Sequence, residues 1–248
     1  MRVAVMSPTY NERDNVDEFL QRVLAAVPMA DVFIVDDNSP DGTGQRVREL
    51  GATNPRIHLI VRSGERGYAA ASREGLVHLA EAGYEAIVTI DCDLSHDAQV
   101  ISAMLVELAS GANVVIGSRY VPGGGVRNWS LSRRVLSRAG NWYTAIMLGV
   151  GVRDCTSGFR AYRGEVIGSG TIANTTSNGY AFLTEVLFRL RQRGVAGFVE
   201  VPIVYVERVA GESKMSKTII SESMRRVTGW GFERLLRRSS SGVGPQIT

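Results

Sequence analysis

Cysteine is nearly absent from this 248-residue chain, with Cys92 and Cys155 alone and in no metal-like spacing. That disfavours a disulfide framework or a zinc site and fits a reducing cytoplasm. Histidine is also scarce: His58, His78 and His96 are the three present. No Ser/His/Asp or Cys/His arrangement is supported, which argues against a covalent nucleophile. No apolar run approaches the roughly 18 residues needed to span a bilayer. Met1–Met6 reads as a first strand and not as a signal peptide, because no apolar h-region follows. No strand leads into Gly-x-Gly-x-x-Gly, and Gly-x-x-x-x-Gly-Lys-Ser/Thr is missing. Both absences weaken readings as a nicotinamide dehydrogenase or a P-loop nucleotidase.

What remains is ordinary for a globular protein: 44% hydrophobic and 21% charged residues, enough chain for one large α/β domain. The net charge of +3 is unevenly spread. Arginines gather late, at 127, 133, 134, 138 and 153, then 225, 226, 234, 237 and 238. They suit either solvated helix faces or attraction to lipid headgroups and phosphate. No recognised motif accompanies them to suggest nucleic acid.

Strand and helix patterns alternate through the first half. Val3–Met6 is apolar, and Val16, Phe19, Leu20, Val23, Leu24 and Val27 then mark one helix face, with Asn11 as the expected N-cap. Further strands are expected at 32–35, 57–61, 86–90 and 114–116. Helices are expected from Asp41 to near Gly51, over 69–82, and around Val100–Leu108. This order predicts a mostly parallel sheet covered on both faces, with ligands at the carboxyl ends of its strands. Later, 120–125 reads as a loop, 131–148 as a helix, and Ser177 as the cap of a helix whose inward face is Phe182, Val186, Leu187 and Leu190. Phe198–Val206 reads as one strand with Pro202 at an edge or bulge, and 208–217 as a polar loop. The expected organisation is a domain over 1–217, an amphipathic helix over 218–238 and a disordered tail over 239–248. Packing on the domain and lying on a membrane surface are equally open for that helix.

The chemistry centres on acids at strand ends. Ala86–Ile90 ends in Asp91-Cys92-Asp93. Burying ionised carboxylates without a partner is costly, so they should sit at an edge and hold something positive. A divalent metal carrying a diphosphate suits their oxygen ligands. Asp37 is the better ligand candidate of the Asp36-Asp37 pair, Asp41 reads as structural, and Glu12 is a third acid for the same cleft. Arg119, Arg133, Arg208 and Lys214 are candidate phosphate partners. His96 is either near the metal or in an ordinary polar loop role.

Six ordered motifs extend this reading: Ser7-Pro8-Thr9-Tyr10-Asn11-Glu12, Val35–Gly44, Asp91–His96, Gly117-Ser118-Arg119-Tyr120, Thr156–Arg163 and Gly211–Ser216. Together the set resembles family 2 glycosyltransferases, in the polyprenol (dolichol) phosphate mannose synthase branch, across residues 3–217. The resemblance implies a GT-A fold and inverting transfer of mannose from GDP-mannose to a polyprenyl phosphate. It implies donor contacts from Pro8, Tyr10, Glu12, Val35, Asp37, Cys92, Arg208 and Lys214. It places Mg²⁺ or Mn²⁺ on Asp91, Asp93 and Ser95, and the acceptor phosphate on Arg119, Arg133 and Ser137. Asp91, Asp93 and Arg119 are the implied catalytic residues. The alternatives are another donor, such as UDP-glucose, and a catalytically silent lipid-binding module. Two positions depart from the pattern: Arg66-Gly67-Tyr68-Ala69 replaces a Leu-Gly loop, and Ser95 replaces a glutamine found in some members. The expected location is cytoplasmic, peripheral on the cytoplasmic face of a membrane, with room for a membrane-anchoring protein partner.

Overall fold

Seven strands form one sheet in the order β3-β2-β1-β4-β7-β5-β8. The computed structural model describes residues 1–179, 181–207 and 217–240. β1 (Val3–Thr9), β2 (Asp31–Asp36), β3 (Ile57–Val61) and β4 (Ala86–Thr89) run parallel, as do β5 (Val114–Ser118) and β8 (Phe198–Pro202). β7 (Arg160–Arg163) lies antiparallel between β4 and β5. Chain order reverses beside β1, which pairs with both β2 and β4. A topological switch of this kind opens a crevice at the carboxyl ends of the strands.

The central strands β1, β2, β4 and β5 are buried on both faces because helices cover both, while the edge strands β3 and β8 are only partly buried. Alternate residues of β1 enter different cores: Val3 and Val5 on one side, Ala4 and Met6 on the other. The first side packs against α1 (Val16–Ala26), α2 (Thr43–Thr53) and α4 (Val100–Ala109). The second receives α3 (Tyr68–Glu81), α6 (Gly164–Gly168) and α7 (Ala181–Gln192), together with buried residues of α5 (Leu131–Leu148) and α8 (Lys217–Ser240). α8 packs on α5 and α7 through Val227 and Trp230, while Phe232, Leu235 and Leu236 stay exposed. A separate parallel pair joins β6 (Gly125–Arg127) to β9 (Val204–Val206).

Several expectations are corrected. Asn11 does not cap α1: it sits at φ 60°, and the Glu12 carbonyl accepts from the Asn15 and Val16 amides, so that α1 starts at Val16. Ser177 makes no hydroxyl cap; its hydroxyl is buried without a hydrogen bond, and its amide donates to Glu185. α2 continues past Gly51 to Thr53. The 198–206 segment divides after Pro202: β8 ends the large sheet, and the next residues switch to β6. β7 has no counterpart in the sequence reading. Residues 208–216, with Arg208 and Lys214, and the tail beyond 240 lie outside the described residues.

Candidate functional site

The carboxyl ends of β1, β2 and β4 carry the predicted acids. Backbone ties hold their loops together: the Asp37 amide donates to the Thr9 carbonyl at 3.0 Å, and the Ile90 amide to Met6 at 3.1 Å. Three residues other than glycine adopt the left-handed conformation just past these strands, Asn11, Asn38 and Leu94, at φ 60°, 56° and 61°. For leucine this costs on the order of 1–2 kcal/mol, so the packing around the Asp91–Ser95 turn must impose it.

Asp36 and Asp37 have different duties. Asp36 accepts from the Ser39 amide at 2.9 Å and from the Thr9 hydroxyl, which fixes its own loop. Asp37 accepts from the Gly67 amide at 2.7 Å and pairs with Arg62, both partners being buried. Gly67 stands at φ 145°, so glycine is what lets this loop reach Asp37. From the same loop Arg66 lies 5.1 Å from the Tyr10 ring centroid. Glu12 receives Asn15 Nδ2 at 2.7 Å, and its amide donates to Thr43 Oγ1. Its charge, with those of Asp91 and Asp93, adds to burial in pushing the Cys92 thiol well up. Pro8 and Val35 are register partners on β1 and β2.

The Asp91–Ser95 turn presents oxygen donors. Asp91 is half-buried and Asp93 is buried, with the Ser95 amide donating to Asp93 at 3.1 Å. Ser95 Oγ is buried without a hydrogen-bond partner. No group of three His, Cys, Asp or Glu residues gathers as a closed metal cage among the described residues. Two carboxylates and a hydroxyl are the oxygen-donor type that suits a hard divalent cation such as Mg²⁺ or Mn²⁺. Gly158 closes against this turn: a Cβ there would lie 2.6 Å from Tyr68 Oη and 3.7 Å from the Asp91 carboxylate. Arg160 anchors that segment from behind, fully buried, donating to the carbonyls of Cys155, Ser157 and Leu183.

Arg119 is not a free cation. Its Nε and Nη2 each donate to Asp154 at 2.7 Å, and Nη2 also reaches Thr156 at 2.8 Å. Burial pushes the Asp154 carboxyl up, but the Arg119 charge and hydrogen bonds outweigh it and hold the group below its usual range. Burial likewise works against the Arg119 charge, and Asp154 outweighs it, so the guanidinium stays protonated. Asp154 was missed in the sequence because nothing local to Val152-Arg153-Asp154 marks a partner 35 residues away.

A string of aromatic contacts leads from the acids to Arg133. His96 follows the Asp91–Ser95 turn; burial lowers it to about 4 despite the opposing pull of Asp93, so it is neutral near pH 7. Its ring lies 5.3 Å from Tyr205, and Tyr205 lies 5.7 Å from Trp129. The Arg133 guanidinium stands 4.1 Å from the Trp129 centroid. Ser137, one turn further along α5, shares a 2.6 Å hydrogen bond with Tyr120 Oη. The Val206 amide of β9 donates to the Ser95 carbonyl at 3.1 Å, tying the small sheet to the acidic turn. Tyr205 and Trp129 carried no sequence signal that separated them from other aromatics.

A mostly parallel sheet with acids at its switch point and an Asp-x-Asp turn makes this an α/β protein whose ligand crevice lies at the carboxyl ends of its strands. The chain belongs to glycosyltransferase family 2, whose signature matches residues 4–169. It is 42% identical over 243 residues to the polyprenol monophosphomannose synthase of Mycolicibacterium smegmatis, covering 98% of this chain and 91% of that protein. It is 42% identical to the undecaprenyl-phosphate mannosyltransferase of Micrococcus luteus, covering 94% of this chain and 95% of that one. The fold resembles the mannosyl-3-phosphoglycerate synthase of Rubrobacter xylanophilus, with a TM-score of 0.67 at 17% identity, covering 100% and 79% of the two chains. It also resembles a Pyrobaculum calidifontis mannosyltransferase solved with GDP-Man and Mn²⁺, with a TM-score of 0.58 at 22% identity, covering 98% and 66%. The fold is GT-A-like.

Proposed function

We propose that this chain transfers mannose from GDP-mannose to a polyprenyl monophosphate, inverting the anomeric carbon and releasing GDP. The observation that carries the reading is the continuous path from Asp93 through His96, Tyr205 and Trp129 to Arg133. In this reading the path connects a diphosphate site at the acids to a second phosphate site at Arg133. The relatives named as polyprenol-phosphate and undecaprenyl-phosphate mannosyltransferases support the same assignment.

In this reading Asp37, Glu12, Tyr10, Pro8, Val35 and Cys92 shape the nucleoside pocket, with Arg208 and Lys214 added from the loop beyond β9. Asp91, Asp93 and Ser95 hold Mg²⁺ or Mn²⁺. The bound cation supplies Lewis-acid stabilisation of the departing diphosphate. Arg119, clamped by Asp154, contributes fixed positive charge to the phosphates, and Arg133 and Ser137 hold the acceptor. A phosphate monoester is largely ionised near neutral pH, so its oxygen needs no strong general base. The protein's main task is to hold that oxygen in line behind the anomeric carbon. The new C–O bond forms as the bond to the diphosphate breaks, and GDP leaves with the electron pair.

The acceptor is a lipid, and α5 is built to meet one. Its buried residues include Asn141 and Thr144, whereas Leu131, Val135, Trp142 and Ile146 face outward at 76%, 61%, 68% and 53% exposure. A helix turned apolar side out, with exposed Arg134 and Arg138 beside it, suits an anionic bilayer surface. No described helix is long and apolar enough to cross a membrane. We therefore place the enzyme peripherally on the cytoplasmic face, with the α5 stripe in the interface.

A donor panel tests the assignment. With Mn²⁺ present, GDP-mannose at about a hundred times its Kd should stabilise the protein by about 2.7 kcal/mol. UDP-glucose should shift melting far less. A larger shift with UDP-glucose would overturn the donor.

A further inference from the structure

The Arg133 charge is already engaged. Its guanidinium pairs with the Glu207 carboxylate while lying over Trp129. The two side chains are 39% and 33% exposed. Glu207 directly follows β9, so the pair links the start of α5 to the small sheet that is tied to the Asp91–Ser95 turn.

A carboxylate at this point uses the same planar donor fork that a phosphate would use. Half exposure makes it replaceable, because an ion pair of this kind shifts an equilibrium only about two- to fivefold. A phosphate monoester carries about −1.5 to −2 charges near neutral pH, against one for the carboxylate. We infer that Glu207 is an exchange partner for Arg133: the dianionic acceptor phosphate displaces it, and it returns once transfer has made a monoanionic diester. Transfer turns one phosphate oxygen into an ester oxygen and removes about one negative charge. The product is then held no better than Glu207 itself, which favours release. This inference rests on reading Arg133 as an acceptor-phosphate residue.

Binding to the full chain tests it, with farnesyl phosphate as the monoester probe and methyl farnesyl phosphate as a mimic of the diester product. The parent should bind the monoester more tightly than the diester. Glu207→Gln should tighten both by about two- to fivefold and leave GDP-mannose affinity unchanged. In an Arg133→Gln background the same substitution should gain nothing. Unchanged or weaker binding in Glu207→Gln, or an equal gain without Arg133, overturns the inference. Both side chains are half exposed, so neither substitution opens the core. If the expected binding changes occur but no mannolipid forms, the transferase reading falls, the exchange of Glu207 for a phosphate monoester at Arg133 stands, and the release step linked to transfer falls with the reading. If mannolipid forms while probe affinities stay unchanged, the inference falls and the transferase reading stands.

Discussion

Replacing Asp154 with asparagine is the sharpest perturbation of the site's scaffold. Asp154 is fully buried and Arg119 nearly so, at 0% and 10% side-chain exposure. The carboxylate accepts from Arg119 Nε, Nη2 and its backbone amide, at 2.7, 2.7 and 3.0 Å. The substituted amide would keep the shape but present one oxygen and an NH₂ group to a guanidinium that cannot lose its proton. Breaking a buried pair on one side costs about 3–5 kcal/mol, because the remaining charge has no compensation. For a chain of this size that lowers Tm by roughly 6–20 °C, at about 2–4 °C per kcal/mol. Replacing both partners, Asp154→Leu with Arg119→Met, should cost much less than the single change. The acid limb gives a second readout. Asp154 titrates below its ordinary value in the folded state, so its contribution is present above about pH 4 and is lost as pH falls through the lowered value. The parent should therefore lose stability on acidification more steeply than Asp154→Asn. A loss below about 1 kcal/mol in the single variant, or a double variant worse than the single, would refute the reasoning.

Gly158→Ala forces a Cβ to within 2.6 Å of Tyr68 Oη beside the Asp91 carboxylate. We expect about 1–3 kcal/mol of destabilisation and a larger loss in kcat than in donor affinity, checked by melting and steady-state kinetics. Cys92 is buried and pushed well up, and burial pushes Cys155 to about 12. Iodoacetamide at pH 8 should leave both untouched in the native protein and alkylate both in urea, read by mass spectrometry. Trp142→Glu with Ile146→Glu should reduce flotation with anionic vesicles severalfold while leaving turnover of a short detergent-dispersed acceptor unchanged.

The parallel half of the fold was legible because β1, β2 and β4 are short apolar runs buried on both faces, each ending in polar or acidic residues. α5 was legible to its last residue because its start and stop are marked by Ser130, which caps it, and by Gly149, in the left-handed conformation. β7 escaped because Arg160-Ala161-Tyr162-Arg163 carries no alternation. Its buried arginine is satisfied by carbonyls from distant loops, which local pattern cannot reveal. The break at Pro202 was visible, but its consequence was not: the next residues leave the large sheet for a partner strand, β6, far earlier in the chain. The acids were readable from their places after strands. Their companions, Arg62, Asp154 and Glu207, were not, because each is defined by a contact made only in the folded chain.

The most direct measurement is transfer of labelled mannose from GDP-mannose to a polyprenyl phosphate in the presence of Mn²⁺ or Mg²⁺, read as chloroform-extractable label. The parent chain should give a mannolipid. Asp91→Asn with Asp93→Asn should lower its rate by about 10²–10³-fold, the scale of losing charge stabilisation at a leaving group. Absence of lipid product across metals and acceptor lengths, or undiminished product from the double variant, would contradict the account.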